Sequence, residues 1–332
     1  MSLIIILLLL LLLVLYIDLT SNDIHWYHNE IFNKDNRVRY YTKNIHNKDF
    51  DIEFNDSTMD FNNVHNKPIL YDEDILEMDN INFYLEEFKE LYRLGPSGAK
   101  YIFVGGDVSN TNKKIPWIAK TRPIEKEGLT TIVPLNRPRH YDPIAKVKQN
   151  DIPFEQKKDQ LVWRGLNTGK HKREPIEKWI TEDNRYGNIG FTRMDQANYT
   201  GIYDRKFIKD KMEMNEMLQY KYLLSVEGND VASNLKWIMA SNSVCLMPLP
   251  ETESWAMEKL MIPWVHYIPL KRDLTDLEQK VFWAKQNPKK VRNIIKNAND
   301  YICRLNNKEE DKELVKGILD IYVKRVSINR NE

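Results

Sequence analysis

The stretch KYLLSVEGNDVASNLKWIMASNSV, residues 221–244, decides the fold class. Residues 222–226 form an apolar run of strand length, residues 232–240 follow with helical character, and residues 244–247 form a second short apolar run. Strands that alternate with helices of this length are typical of a parallel sheet with helices on both faces. The sequence therefore predicts an α/β fold.

The same alternation continues toward the carboxyl terminus. One of the later helices begins at a capping box, in which Thr275 is the N-cap and Glu278 lies three residues on. The sequence predicts a strand over residues 160–163, a helix over 254–261, a strand over 265–268 and a helix over 275–285.

A second α/β unit is predicted upstream. Apolar residues recur every three or four positions over residues 81–92, which is typical of an amphipathic helix. Residues 101–104 form a β-rich run that ends at two glycines, so a strand delivers Asp107 into a turn. We place a first lobe at residues 67–157, a second lobe at 158–304 and a C-terminal helical tail at 305–332.

Length and charge limit the classes of function. The 332 residues are 42% hydrophobic, which is enough for two globular lobes. The formal net charge is +1, from 49 Lys and Arg against 48 Asp and Glu. Such a chain has no overall field that attracts nucleic acid, so we predict no nucleic-acid partner.

The amino-terminal residues predict a membrane anchor. Residues 3–17 form an unbroken apolar run, which is shorter than the roughly 20 residues of a transmembrane helix and also fits a signal peptide. No small-x-small cleavage site follows, so we favour an uncleaved signal anchor over residues 1–20. Asp18 and Asp23 favour a single-pass topology with the body on the lumenal side of an endomembrane. Residues 21–66 lack a sustained period and predict a stalk or poorly ordered lead-in.

A group of polar residues follows the strand that begins the second lobe. Trp163, Arg164 and Gly165 end that strand, and Thr168 and Arg173 come next. Arginine gives bidentate charged hydrogen bonds and glycine permits close approach of the backbone, so this set is suited to a diphosphate. The alternative is a solvated basic loop, because three more basic residues lie in the same stretch.

Other candidate residues lie at the ends of later and earlier strands. Glu227 and Gly228 follow a strand, and Ser233 precedes the next helix. Ligands of parallel sheets bind beyond the carboxyl ends of the strands, although a plain βα turn with a capping residue gives the same pattern. Asp107 is either a turn-forming aspartate or a general base.

No metal cofactor is predicted. The acidic residues 72–74 precede a helical pattern and are interpreted as an acidic first turn. His25 and His28 have no partner at metal-ligand spacing, and two cysteines, Cys245 and Cys303, do not make a disulfide framework.

The chain resembles glycosyltransferase family 90. The resemblance is carried by residues 221–244, by Glu253-Ser254-Trp255 and by the sequence PWVHYIPL at residues 263–270. Trp163-Arg164-Gly165 falls in the family's order and approximate spacing. The resemblance extends over about residues 101–298.

This resemblance implies a GT-B-like fold, with two Rossmann-like lobes and a cleft between them. The N-terminal hydrophobic anchor, predicted from residues 3–17 alone, would precede this fold. It implies metal-independent, inverting transfer of a sugar, glucose or xylose, from a UDP-sugar to a hydroxyl of a glycan, protein or lipid acceptor. Asp107 would be the catalytic base. The donor would be bound by Trp163, Arg164, Gly165, Thr168, Arg173, Glu227, Gly228, Ser233, Asn234 and Lys236.

One departure from the family leaves an alternative open. Many relatives have arginine where this chain has Asn234, and Lys236 compensates only if its helix presents it to the cleft. A catalytically silent protein of the same fold would bind a glycan or nucleotide without turnover. A membrane-anchored structural protein is a third interpretation, but it does not explain polar motifs at strand ends.

Overall fold

The structure is a computed structural model that describes most of the chain. The predicted anchor, the acidic residues 72–74 and the histidines His25 and His28 lie outside the described residues. In the described part, no helix is both long enough and apolar enough to cross a membrane. The described residues are 29–54, 68–71, 84–107, 114–125, 128–135, 137–169, 172–193 and 205–330.

Strands and helices alternate along most of this part of the chain. The strands are β1 Phe50–Phe54, β2 Pro68–Tyr71, β3 Tyr101–Val104, β4 Trp117–Ala119, β5 Arg122–Pro123, β6 Thr130–Ile132, β7 Lys158–Leu166, β8 Asn188–Arg193, β9 Tyr220–Leu224, β10 Val244–Pro248, β11 Thr252–Glu253, β12 Ile268–Leu270 and β13 Val326–Arg330. The α-helices are α1 Lys34–Thr42, α2 Leu85–Leu94, α3 Arg137–His140, α4 Asp142–Asn150, α5 Met214–Met217, α6 Leu235–Met239, α7 Leu277–Gln286, α8 Pro288–Leu305 and α9 Lys308–Arg325.

The larger sheet of the described chain, here called the second sheet, has five parallel strands in the order β12-β10-β9-β7-β8. Its central strands β9 and β10 carry nearly continuous apolar side chains because both of their faces are buried. These two strands were predicted from the sequence, and the mixed α/β class with parallel strands is confirmed.

The smaller sheet, here called the first sheet, has the order β2-β3-β4-β6 in the described residues. Strands β3, β4 and β6 are parallel, and β2 pairs antiparallel with β3. Helix α2 covers this sheet, and the ring of Phe88 stacks on Phe103 of β3 with 4.6 Å between centroids. The carboxyl ends of three neighbouring parallel strands therefore lie at one edge of the sheet.

The two sheets share a core and are linked by a short ladder. Strand β5, which follows β4, pairs antiparallel with β11, which follows β10. One apolar cluster contains Phe103 and Ile118 of the first sheet together with Leu223 and Met247 of the second. The relative position of the two sheets is therefore fixed by buried packing as well as by the ladder.

The prediction of a stalk or poorly ordered lead-in over residues 21–66 is wrong for residues 29–54. These residues contain α1, which packs on α9, and β1, which pairs in parallel with β13. The apolar period fails here because the inward face of α1 includes Arg37 and Thr42, both fully buried. A buried face built from polar residues is not recognised by its hydrophobicity.

Two helical predictions also need correction. Only the 3-10 helix Glu258–Leu260 forms in the stretch 254–261. The capping box does not form either, because the hydroxyl of Thr275 donates to Asp273 at 2.8 Å and α7 begins after Asp276 without a side-chain cap.

Candidate functional site

Asp107 and Lys120 meet at the edge of the first sheet. Asp107 follows β3 and Lys120 follows β4, and these strands are parallel neighbours, so the residues after their carboxyl ends lie side by side. The Nζ atom of Lys120 is 2.8 Å from Oδ1 of Asp107. The Asp107 side chain keeps 35% of its surface exposed, whereas that of Lys120 keeps 4%.

The loop after β9 brings the second sheet to this pair. Asn229 donates from Nδ2 to Oδ2 of Asp107 at 3.3 Å. Asp230 accepts from the Nζ of Lys120 at 2.8 Å and from the hydroxyl of Thr121 at 3.1 Å. The predicted base is thus in direct contact with the loop that was predicted to bind the donor.

The electrostatic surroundings favour an ionised Asp107. Burial by itself would raise the pKa of this carboxyl, but the charge of Lys120 and hydrogen bonds from Lys120 and Asn229 outweigh it. The resulting pKa is below the ordinary value for aspartate. At neutral pH Asp107 is therefore a carboxylate that is able to accept a proton.

Two glycines allow the loops after β7 and β9 to touch. Gly169 has a φ of +86°, and a Cβ atom there would lie 2.4 Å from the carbonyl carbon of Gly228. The amide of Gly169 donates to Oδ1 of Asn229 at 3.0 Å. This asparagine therefore bridges the loop after β7 to Asp107.

Arg173 holds the same two loops together. Its guanidinium donates to the carbonyl oxygens of Leu166 at 2.8 Å and Val226 at 3.0 Å, and to the hydroxyl of Thr168 at 2.9 Å. It also lies over the ring of Trp163, 5.6 Å from the centroid. Trp163, Thr168, Arg173 and Gly228 are thus brought together.

Arg164 is not brought to this cluster. Its guanidinium donates to the carbonyl oxygens of Asn188 at 2.7 Å and Asp210 at 2.9 Å. Asn188 is the first residue of β8, so the side chain extends toward the amino end of that strand. The geometry therefore does not favour Arg164 as a donor ligand.

Four other predicted residues take different positions. Gly165 lies within β7, against the ring of Trp163, and Ser233 is half-buried just before α6. Asn234 donates to the carbonyl oxygen of Leu224 at 3.0 Å, so its side chain turns back onto β9. Lys236 is 1% exposed and forms a buried ion pair with Glu258 at 2.7 Å. Its ammonium group is thus used inside the protein and does not replace an arginine at position 234.

A cavity opens beyond the carboxyl ends of β9 and β10. It measures about 490 Å³ with its open mouth included, and Val226, Ala232, Leu235 and Met247 contribute apolar walls. Lys172 and Arg272 are the cationic residues of its lining. From the sequence, Lys172 was one of three basic residues that favoured the alternative of a solvated loop, and Arg272 was not predicted, because only the fold places both residues at one opening.

Glu227 has a structural contact at the rim of this cavity. Its Oε1 accepts from the backbone amides of Glu251 and Thr252, both at 3.0 Å, and its Oε2 is 2.6 Å from Nζ of Lys172. Burial raises the pKa of Glu227, although Lys172 and the two amides act in the opposite direction. Glu227 therefore fixes the segment that leads into β11.

Lys120 was not predicted from the sequence, and Asn229 was not singled out. The available signal was that Lys120 and Thr121 directly follow a short apolar run, and that Asp107 also follows such a run, after two glycines. Among the described residues, no group of three or more His, Cys, Asp or Glu side chains is placed to hold a metal ion.

Comparison with known proteins gives consistent matches. The sequence model of glycosyl transferase family 90 matches residues 139–329. The O-glucosyltransferase LpsA of Dichelobacter nodosus is 36% identical over 222 residues, which are 67% of this chain and 66% of that protein. Protein O-glucosyltransferase 2 of Danio rerio is 27% identical over 145 residues, 42% of this chain and 28% of that protein. Protein O-glucosyltransferase 3 of Rattus norvegicus is 37% identical over 82 residues, 24% of this chain and 16% of that protein.

The matches leave parts of both partners unaligned. The chain spans less than two thirds of the length of each of these relatives. Asp107 and Lys120 precede the residues matched by the family model, so their part in the site rests on the geometry.

Proposed function

The chain belongs to glycosyltransferase family 90, and we propose that it transfers a sugar from a UDP-sugar to an acceptor hydroxyl with inversion, with Asp107 as the general base. Glucose is the first candidate because the relatives above are named O-glucosyltransferases, and xylose is the second. A glycan, protein or lipid would supply the hydroxyl.

The observation that carries this proposal is the contact between Asp107 and the loop after β9. Asp107 is ionised and partly exposed. Asn229 links it to the amide of Gly169, in the loop after β7. In the proposed step, Asp107 accepts the acceptor proton while the acceptor oxygen bonds to the anomeric carbon. The bond from that carbon to the diphosphate oxygen breaks, and UDP leaves.

The cavity beyond β9 and β10 is proposed to bind the nucleotide. Its apolar walls are suited to a uracil ring, and Lys172 and Arg272 supply positive charge for the diphosphate. Lys172 is paired with Glu227 at 2.6 Å and with Glu251 at 3.5 Å, and Arg272 is paired with Glu251 at 2.9 Å, so we expect the diphosphate to compete with these carboxylates. Such preorganised cations stabilise a leaving diphosphate without requiring a metal.

The wider architecture fits the same proposal. We propose that the two sheets are the cores of the two lobes of a GT-B-like fold, with acceptor and donor meeting at the edge near Asp107. We also propose that residues 1–20 attach the protein to a membrane as a single-pass anchor, with the body in the lumen.

The test is a donor panel with one matched variant. The full chain in detergent is assayed with UDP-glucose, UDP-xylose and other UDP-sugars in EDTA, and then with manganese. We expect UDP release with at least one donor in EDTA. Asp107→Asn should lower transfer by about 100-fold or more, as expected for loss of a general base, and should leave UDP affinity unchanged.

Three results contradict parts of the proposal. Near wild-type turnover in Asp107→Asn would mean that another residue is the base. Activity that needs manganese would remove the metal-independent mechanism. Tight UDP binding without turnover on any donor would identify a silent nucleotide-binding protein.

A further inference from the structure

Three consecutive residues after β4 each bind an acidic residue in a segment that follows a strand of the second sheet. Lys120 and Thr121 bind Asp230, and Arg122 donates from Nε to Glu253 at 2.8 Å. All three side chains are buried, with 3%, 0% and 2% of the residue surface exposed. This segment, residues 120–122, therefore joins the edge of the first sheet to the loops of the second.

Lys120 differs from its two neighbours because it also contacts the predicted base. Its Nζ lies 2.8 Å from Asp107 and 2.8 Å from Asp230, so two of its three donor directions are used by carboxylates from different sheets. The side chain of Asp230 is 7% exposed, and that of Asp107 is 35% exposed. One carboxylate of this bridge is accessible to a substrate, and the other is enclosed.

The charged groups around the bridge come from several elements. Asp107 faces Lys120, Asp230 and, at longer range, Arg139 of α3, while Lys120 also faces Tyr84 before α2. Burial raises the pKa of Asp230, and the nearby Asp107 raises it further, against the opposite effects of Lys120 and Thr121. Because Asp107 and Asp230 contact the same ammonium group, both carboxylates need Lys120 if both are to stay ionised.

We propose that Lys120 and Asp230 are positioning residues for the transfer reaction. Together they hold the Asp107 carboxylate against the loop after β9 and keep it ionised. The inference rests on the proposed function of Asp107 as the base. Asp230 anchors the ammonium group of Lys120 from the second sheet, and Lys120 in turn anchors Asp107. Contact between the two sheets thereby becomes a condition for an active base.

The sign of the expected effect follows from the charges. Without the ammonium group, Asp107 keeps its burial and its negative neighbour Asp230, and both raise its pKa. As the pH falls, activity that needs ionised Asp107 is then lost at a higher pH than in the wild type. An opposite charge within hydrogen-bonding distance commonly lowers a carboxyl pKa by about 1 to 3 units, so we expect a shift of at least about one pH unit.

The experiment compares the pH dependence of kcat/KM for four proteins: the wild type, Lys120→Met, Lys120→Arg and the double variant Lys120→Met/Asp230→Asn. We expect the acid limb of Lys120→Met to move up by at least about one pH unit. Lys120→Arg should keep it near the wild-type position. The double variant should fall between these two, because the repelling charge of Asp230 is gone as well.

The double variant also guards against misfolding, since it removes both members of the buried Lys120–Asp230 pair, so that neither is left as a buried charge without its partner. UDP affinity is measured by calorimetry in each variant and should change less than about twofold, because neither residue is placed against the donor. Asp107→Asn is run beside them.

The possible failures are distinguishable. If Asp107→Asn abolishes transfer but the acid limbs of Lys120→Met and the double variant stay in place, the positioning role is wrong and the base stands. If Asp107→Asn keeps its turnover, the proposed base and this inference both fail. If Lys120→Met and the double variant lose UDP affinity, Lys120 is a ligand contact and the positioning role is also overturned.

Discussion

Arg164 and Arg173 look equivalent in the sequence, but their partners differ in the fold. Arg173 joins the carbonyl oxygens of Leu166, the last residue of β7, and Val226, in the loop after β9. Arg164 is held by Asn188 and Asp210 near the amino end of β8. Residue type and proximity to a strand end do not reveal where a long side chain extends, so this difference was not predictable.

Replacing each arginine by alanine separates these roles. Both variants should lose stability, since hydrogen bonds from charged groups contribute about 1.5 to 3 kcal/mol. Only Arg173→Ala should weaken UDP binding, by about tenfold, because the loops after β7 and β9 lose their link, and a tenfold change is about 1.4 kcal/mol. Urea unfolding and calorimetric titration of UDP provide the two measurements. Weaker UDP binding in Arg164→Ala would return that residue to the donor site.

His140 is a second residue whose position was not foreseen. It ends α3, it is 4% exposed, and neither ring nitrogen has a hydrogen-bond partner among the described residues. Burial, followed by the nearby cations Lys236, Lys120 and Arg139, lowers its pKa to about 2. The imidazole is therefore neutral in the folded protein throughout the working pH range.

We expect His140 to make the protein less stable in mild acid. Its pKa is lower in the folded state than in the unfolded state, so the unfolded chain binds more protons below about pH 6.5. Above that pH the neutral His140 does not reduce the free energy of unfolding. Below it, this group lowers the free energy of unfolding by up to about 1.4 kcal/mol per pH unit. Urea unfolding of the wild type and His140→Leu between about pH 6 and 4 checks this. Parallel pH dependences of the two proteins would contradict it.

At the scale of elements, the sequence predicted the strands and helices whose buried residues are apolar. Strands β3, β9 and β10 were predicted because they are apolar on both faces. The helix over 254–261 was not realised: Met257 has a left-handed φ of 49°, which interrupts a helix, and Glu258 pairs with Lys236 across the core. Local pattern gives no account of such a tertiary contact.

The contact between the loops after β7 and β9 depends on a glycine. Gly169→Ala would place a Cβ atom 2.4 Å from the backbone of Gly228 and would strain a φ of +86°. Gly98 is a matched control, because it also has a positive φ, +72°, but no atom lies within 4 Å of its Cβ position. A left-handed conformation alone costs alanine about 1 to 2 kcal/mol.

We therefore expect Gly98→Ala to lose about 1 kcal/mol of stability and to keep its UDP affinity and turnover. Gly169→Ala should lose more stability and should also lower turnover by at least about tenfold, because Asn229 no longer bridges its amide to Asp107. Thermal unfolding and the transfer assay separate the two effects. Equal behaviour of the two variants would show that the loop contact has no functional role.

At the scale of the whole molecule, both ends of the described chain support the site. Tyr40 and Tyr41 of α1 supply backbone carbonyl oxygens to the guanidinium of Arg122, at 2.8 Å and 2.9 Å. Arg122 in turn pairs with Glu253 of β11. The sequence predicted a stalk for the residues of α1. The polar face of this helix is buried by partners that lie far along the chain, so the local sequence did not reveal it.

We expect an active chain to require α1 and β1. A chain that starts at residue 60 lacks α1 and β1, so β13 loses its parallel partner and Arg122 loses two acceptors. It also leaves Asp311 of α9 without Arg37, with which it forms a fully buried ion pair at 3.5 Å. Loss of one member of such a pair costs about 3 to 5 kcal/mol, a large part of the roughly 5 to 15 kcal/mol that stabilises a typical domain.

The matched control starts at residue 29 and keeps all of these described contacts. We expect the chain from residue 29 to unfold cooperatively at a midpoint close to that of the full chain and to retain UDP binding. The chain from residue 60 should unfold at a much lower urea concentration or without a cooperative transition, and it should not bind UDP. Because Arg122 connects α1 to the segment that carries Lys120, the transfer activity should disappear together with the fold. A chain from residue 60 with full stability and activity would show that α1 and β1 are not required for folding or for transfer.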